Sequence, residues 1–514
     1  MDSFCERLLQ YLNLSEEEFL AFSQEPSFSA LPKLDGSLSA KTAKKRILEA
    51  IAAKEKILIY GDYDCDGVMA TSIMLSTLRE LGAEATPFIP SRYVDGYGMN
   101  EENARRIAES DFSLILMVDN GISAIDPIAI LLQAGKETIV IDHHEMGPIL
   151  PPAYAIIHHE LIHYGDVPVS AGYLSFAFSR FLLERDDPYY ATLGALSTVS
   201  DCMPVRKYNR IIISLALRFI RKYGYPEICL LTDKKRIDER ILSMEIVPII
   251  NAVGRMETRH AVVKAVQYFA EKDAPKQAIS AYLIEENQQR KLATKEAEAV
   301  LEIPEGKPGI LVLSSLKEGL NGLLANKLLF AYNLPCAVFS PSEANKDIYV
   351  GSLRAKKGFS FVDFFAFLDD LPIRGGGHEL AGGITIEASK WDAFQEKFYE
   401  FAKDHPFVAE VPKGMEITLD EITMDHFRFL RQIGPFGHGF EEPEFILRDI
   451  PVSSLRFSRN KAHVIVNYPS FTLTAFGCSE ESLKDTSVVS FIGTISLNEF
   501  RGTQNLTFVA KRLD

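Results

Sequence analysis

The chain has 514 residues, too many for one ordinary hydrophobic core, so two to four domains are expected. Its 47% hydrophobic and 24% charged residues are those of a folded soluble protein. A net charge of −15 excludes a globally basic nucleic-acid binder, yet leaves room for a local basic groove.

The first residues lack a basic segment and a long apolar core, so no signal peptide is expected, and no apolar stretch is long enough to span a bilayer. Residues 1–50 read as a mainly helical segment. From 56 to about 145 strands (56–60, 84–89, 112–118, 137–141) alternate with helices (67–82, 100–109, 124–134). Alternation with short loops predicts α/β architecture with a doubly wound parallel sheet. Residues 168–222 and 240–300 read as helices, the last (274–301) rich in Glu, Lys, Gln and Ala, as on a surface face or an interdomain connector. After Pro304 to Pro308 a second, smaller α/β unit is predicted: strand 309–313, helix 320–331, strands 335–339 and 347–352, helix 361–369, a Gly-rich turn, and strand 383–387. Past about 412 the segments 445–449, 462–467, 471–476, 487–497 and 505–511 alternate as β-strands, compatible with a small OB-like barrel. The expected division is therefore 1–50, 51–272, 273–303 as a connecting helix, 304–411 and 412–514. Six cysteines without a C-x-x-C pair point to reduced thiols in a cytoplasm rather than a disulfide framework or zinc ribbon.

The chemistry concentrates where strands end. After strand 56–60 come Asp62, Asp64 and Asp66, then Gly67. Carboxylates this close repel one another unless a cation or hydrogen bonds neutralise them. The spacing fits the opening of a calcium-binding EF-hand loop, but the twelfth position is Ile73 rather than Glu, and a strand precedes it. A helix cap would need one Asp, not three. Asp119 ends strand 112–118, Asp142-His143-His144 ends strand 137–141, and Asp201 ends a further apolar run. In a parallel sheet the carboxyl ends of neighbouring strands share one rim, so Asp62, Asp64, Asp66, Asp119 and His143 can meet there. Carboxylates with imidazole and no thiolate suit Mn²⁺ or Mg²⁺ better than Zn²⁺, and such a set can hold two ions for phosphoryl hydrolysis. Taken singly, each piece is as readily a turn, a cap or a polar loop end.

In this order the four acidic and histidine motifs resemble those of the DHH phosphoesterase superfamily. The stretch around Arg92 and Tyr97, the run Asn251 to Arg255, Gly351-Ser352-Leu353-Arg354, Gly375 to Gly383, and Gly434 to Phe445 are similar to the RecJ-type exonucleases within it. The resemblance implies a DHH domain, a DHHA1 domain and an OB-like domain, and a metal-dependent 5′→3′ exonuclease degrading single-stranded DNA to 5′-mononucleotides in repair and recombination. It implies metal ligands at Asp62, Asp64, Asp66, Asp119, His143 and Asp201, with Asp119 bridging two Mn²⁺ or Mg²⁺ ions. Asp142 would orient the site from behind and His144 would contact phosphate. Arg92, Arg255, Ser352, Arg354, Gly376, Gly377 and His378 would bind the strand. Partners would be single-stranded DNA, a single-strand-binding protein and a helicase, acting on a cytoplasmic monomer. Arg456, Arg459 and Lys461, with Phe457, His463, Tyr468 and Phe471, read either as a single-strand platform or, for the aromatics, as barrel core.

Some positions depart from the family pattern. Leu316-Lys317-Glu318-Gly319 stands for the usual Trp-His-x-Gly, Asn326-Lys327 for Ser-Arg, His158-His159 for Asn-Pro, and Phe440 for Asn. His158 and His159 read as surface residues without a metal role. Rival readings are a phosphodiesterase of short oligoribonucleotides or cyclic dinucleotides, and a single-strand-binding scaffold with a dead site.

Overall fold

The computed structural model describes residues 2–513 except 163, 166, 257–260, 344, 369–370, 409–410 and 501–502. The chain divides into two compact units, one of residues 28–203 with 207–409, the other of 1–27, 204–206 and 410–514.

The larger unit opens on a five-stranded sheet. Its strands are β1 (Lys56–Tyr60), β2 (Glu84–Phe88), β3 (Phe112–Val118), β4 (Glu137–Ile141) and β5 (Ala155–Ile157). They run parallel in the order β2-β1-β3-β4-β5. β1, β3 and β4 read as continuous apolar runs because both faces are covered. Leu58, Tyr60, Ile115, Met117 and Val140 pack with Ala104, Ile107, Ile128 and Leu131 of the helices Glu101–Ala108 and Ile125–Gln133. The other face meets the helices Cys65–Glu80 and Ala171–Leu183, and Leu38–Ala52 lies against β5. The strand order reverses direction between β1 and β3, which makes the carboxyl ends of those two strands the place for a ligand. β5 was not anticipated; at three residues it is too short to carry a pattern.

The helix after β1 begins at Cys65, two residues before the expected start. The Asp64 carboxylate caps it, accepting from the backbone N–H of Asp66 at 2.9 Å and of Gly67 at 3.2 Å. The long charged helix is found at Lys276–Val300.

A second sheet in the same unit holds β6 (Ile310–Leu313), β7 (Cys336–Pro341), β8 (Ile348–Arg354), β9 (Arg374–Gly377) and β10 (Ala381–Glu387). The order is β6-β7-β8-β10-β9, parallel only between β6 and β7. The expected Gly-rich turn is instead the edge strand β9, paired Gly382 to Gly377 and Gly383 to Gly376. Glycine is needed in this ladder where neighbours come close: a Cβ on Gly382 would lie 2.8 Å from the Phe365 ring. A helix over Trp391–Asp404, also unforeseen, places Phe394, Phe398 and Phe401 in the core beside Phe359 and Phe364.

The smaller unit carries β11 (Met415–Glu416), β12 (Phe445–Pro451), β13 (Val464–Asn467), β14 (Phe471–Ala475), β15 (Val488–Phe500) and β16 (Thr503–Arg512), in the order β11-β12-β15-β16-β14-β13. Its core takes Phe445, Leu447, Phe471, Leu473, Phe491 and Phe508 from the strands, and Phe4, Leu8 and Leu9 from the helix Ser3–Tyr11. The first 27 residues thus belong with the C-terminal sheet, while Leu38–Ala52 packs in the larger unit.

Candidate active site

Asp62, Asp64 and Asp66 leave the end of β1, Asp119 the end of β3, and Asp142-His143 the end of β4. Asp201 caps the C-terminus of the helix Pro188–Ser200. All of them converge. Ligand atoms of Asp62, Asp64 and Asp119 lie within 4.8 Å of one another, as do those of Asp66, His143 and Asp201. The two sets join where His143 Nε2 stands 3.4 Å from Asp119 Oδ1; the same nitrogen is 3.5 Å from Asp66 Oδ2 and 3.4 Å from Asp201 Oδ2.

Local backbone makes this crowding possible. A Cβ on Gly67 would lie 2.5 Å from the Asp62 carbonyl oxygen, so only glycine lets the helix start fold back over the strand end. Asp119 holds a left-handed conformation (φ 62°), uncommon for a residue with a side chain and typical of strain kept at a working site.

Two of the carboxylates are also structural. Asp66, 1% exposed, accepts from the N–H of Ala171 at 2.9 Å and of Gly172 at 2.7 Å, and from the Ser197 hydroxyl at 2.5 Å. It therefore takes the start of the helix Ala171–Leu183 into the rim. Asp142 Oδ1 accepts from the backbone N–H of His143 at 2.7 Å and of His144 at 3.2 Å, and lies 2.8 Å from His144 Nδ1; its Oδ2 accepts from Ile122 N–H at 2.9 Å.

Burial, reinforced by mutual repulsion, pushes the carboxyls of Asp62, Asp64 and Asp119 up, and that of Asp201 up to about 8. Burial pushes the His143 imidazole down, keeping it neutral and free to ligate. Burial also disfavours charge on His144, but its hydrogen bond to Asp142 and that carboxylate's charge prevail and raise it to about 9. Asp142 is lowered to about 2: burial opposes this, and His144 and the Ile122 N–H overcome it.

Asp62 Oδ1, Asp119 Oδ1 and His143 Nε2 are buried with no hydrogen-bond partner among the described residues. Buried polar atoms in such a state are costly unless something positive fills the space between them. Hard oxygens and one imidazole fit Mn²⁺ or Mg²⁺, and each set offers three groups that could hold an ion.

A cationic flank adjoins the rim. Arg92 stacks over the Tyr63 ring at 5.2 Å, and its charge faces Asp62. Burial, then the charges of Arg92, Arg290 and Arg354, push Arg255 down to about 10. Arg92, Arg255, Arg290 and Arg354 have no carboxylate partner among the described residues. Arg290 escaped sequence reasoning because it sits in the charged helix that read as a surface face or connector. Tyr93 and Lys317 donate to the carbonyls of Arg255 and Met256, and Arg255 Nη1 donates to Gly319 at 3.2 Å, so the flank is tied to the loop after β6. Ser352 and Arg354 lie on β8, while Gly376, Gly377 and His378 are exposed on or beside edge strand β9 and make no described contact with the carboxylate rim.

The expectation that His158 and His159 are surface residues is corrected: they are 0% and 8% exposed. His158 follows β5, the strand too short to be foreseen, and no residue pattern signals that it lies under His144. In the smaller unit, Arg456, Phe457, Arg459 and Lys461 line a cavity of about 760 Å³. Phe471 is core, 1% exposed, and Tyr468 stacks on it at 4.8 Å.

The DHH family, N-terminal domain, matches residues 56–195, the stretch that carries Asp62, Asp64, Asp66, Asp119 and His143. The RecJ OB domain matches residues 414–512. The single-stranded-DNA-specific exonuclease RecJ of Bacillus subtilis (strain 168) is 29% identical over 495 residues, 92% of this chain and 63% of that protein. That of Thermus thermophilus is 29% identical over 500 residues, 93% of this chain and 71% of the relative. Among solved structures, Thermus thermophilus RecJ in complex with Mn²⁺ superposes with a TM-score of 0.83 at 24% identity, covering 99% of this chain and 75% of that one. Exonuclease RecJ bound to manganese gives 0.64 at 26% identity, covering 74% and 97%. The chain is thus similar over most of its length to RecJ-type proteins, with a DHH-family match in its first α/β region and a RecJ OB match in its C-terminal sheet. It spans less than two thirds of the Bacillus relative's length.

No described helix is long and apolar enough to cross a membrane.

Proposed function

We propose that the protein is a metal-dependent 5′→3′ exonuclease that degrades single-stranded DNA to 5′-mononucleotides, with Mn²⁺ or Mg²⁺ as cofactor. The observation that carries this reading is the meeting of two ligand sets at His143 and Asp119, 3.4 Å apart. Asp62, Asp64 and Asp119 would hold one ion and Asp66, His143 and Asp201 the other, with Asp119 between them. When bound, the ions supply an activated water and stabilise charge on the leaving oxygen. Asp142 orients the histidine pair, and a protonated His144 donates to a phosphate oxygen. Arg92, Arg255 and Arg354, with Ser352, neutralise the backbone of one strand, and Gly376, Gly377 and His378 contact it further along. The anionic body limits non-specific binding.

The proposed division of labour keeps a DHH catalytic domain over 51–272, a connecting helix, a DHHA1 domain over 304–411 and an OB-like domain from 412. The setting would be cytoplasmic DNA repair and recombination, as a monomer working with a single-strand-binding protein and a helicase.

The decisive test incubates purified protein and Mn²⁺ or Mg²⁺ with 5′-phosphorylated single-stranded DNA. Mononucleotides should appear from the 5′ end, and Asp119→Ala should abolish hydrolysis yet retain strand binding. Faster turnover of a dinucleotide than of a long strand would favour a small-substrate phosphodiesterase. Binding without hydrolysis by the parent would favour a scaffold.

A further inference from the structure

Behind the rim lies an imidazole that the reading above does not use. His158 stands where the resembling family usually has Asn, and it is fully buried. Its Nε2–H donates to the His144 carbonyl at 2.9 Å, and its Nδ1 accepts from Glu160 N–H at 3.3 Å. A carbonyl only accepts, so the tautomer is set with the proton on Nε2. The His159 ring stacks against it at 4.5 Å and restrains its tilt.

The His143-His144 turn is thus gripped from two sides. Asp142 takes the two backbone N–H groups and the His144 ring; His158 takes the His144 carbonyl. We propose that His158 is a positioning residue for the reaction, fixing through the His144 carbonyl the orientation of both His143, toward its three carboxylates, and His144, toward the strand. The physical reason is rigidity: Asp142 holds the N–H side of the turn and Tyr97 OH lies 2.9 Å from His144 Nε2, which leaves the carbonyl side unheld, and a donor there removes that freedom. An asparagine amide could donate to the same carbonyl. An alanine could not, and would leave a carbonyl unpaired at a buried site.

The proposal rests on the nuclease reading, and the experiment separates the two. His158→Ala and His158→Asn are compared with the parent, each normalised to its folded fraction by circular dichroism. Kinetics on single-stranded DNA should show kcat lower by about tenfold or more in His158→Ala with KM little changed, and near-parental kcat in His158→Asn. Calorimetric titration with Mn²⁺ should show affinity weakened in His158→Ala and retained in His158→Asn. A merely space-filling role would lower the folded fraction and leave kcat per folded molecule untouched. The proposal is overturned if His158→Ala matches the parent in kcat per folded molecule, or if His158→Asn is as impaired as His158→Ala. If the parent itself cleaves no single strand, the nuclease reading fails by itself. The titration then still judges His158: equal Mn²⁺ affinity in all three proteins overturns the proposal, and selective weakening in His158→Ala supports it.

Discussion

Adding Mn²⁺ to metal-free protein at pH 7 should release at least about one proton per molecule. Asp201 carries the clearest expectation. Burial and then the charges of Asp66 and Asp64 raise its carboxyl from 3.8 to about 8, so roughly nine-tenths of molecules hold that proton at pH 7. Asp62, Asp64 and Asp119 are shifted in the same direction by burial and by one another. A carboxylate must lose its proton to ligate, so apparent affinity should rise about tenfold per pH unit for each proton displaced, and level off above about pH 8. The linkage to stability has a definite sign. A carboxyl whose folded pKa lies above its unfolded value contributes fully below about pH 4, and that contribution is lost as pH rises through about 8. Metal-free protein should therefore weaken across that window, and Mn²⁺ should restore it. Calorimetry in two pH 7 buffers of different ionisation enthalpy counts the protons, and Asp201→Asn should lower the count by about one. Heats that do not depend on the buffer, or a count unchanged in Asp201→Asn, would refute the crowded-carboxylate reasoning.

Asp142→Asn removes the charge and the hydrogen bond that raise His144 to about 9, so the alkaline fall in rate should move down by about one pH unit or more. A pH–rate profile with the same alkaline limb as the parent would mean that the His144 charge is not used. Gly67→Ala puts a methyl group 2.5 Å from the Asp62 carbonyl oxygen, backbone that cannot swing away; a loss of about 1–3 kcal/mol in urea unfolding and of Mn²⁺ binding is expected. Arg255→Ala should raise KM for single-stranded DNA about tenfold with kcat little changed, and should reduce the salt slope of binding by about one. Equal KM would remove Arg255 from the strand's path.

The rim was legible because strand ends announce themselves: apolar runs stop at Tyr60, Val118 and Ile141, and the next polar residues must sit on the carboxyl edge of the sheet. What stayed hidden depends on partners far away in the chain. Asp66 reads as a ligand, but nothing in its spacing shows that its oxygens also accept from Ala171, Gly172 and Ser197, more than a hundred residues on. His158 reads as a surface residue because β5, the strand that carries it inward, is three residues long. Gly375 to Gly377 has no side chains to alternate, so its pairing as an edge strand leaves no mark on the sequence.

The departures from the family pattern show which parts of the site can change independently. Leu316 is buried, with Leu320 and Leu324, in the core beneath the helix Asn321–Tyr332. Lys317 donates to the Met256 carbonyl, and Lys327 is neutralised by Glu298. Phe440 stacks on Phe436 at 5.4 Å within the smaller unit. The replacements at Leu316, Lys317, Lys327 and Phe440 are absorbed by packing or by a local partner. Among the described residues Arg92, Arg255, Arg290 and Arg354 carry charge without a carboxylate partner, with Arg92 facing Asp62 and the others grouped around Arg255, whereas Lys327 is paired. Grip on the strand should accordingly be concentrated near the scissile phosphate, so Lys327→Ala should raise KM for single-stranded DNA less than Arg255→Ala does.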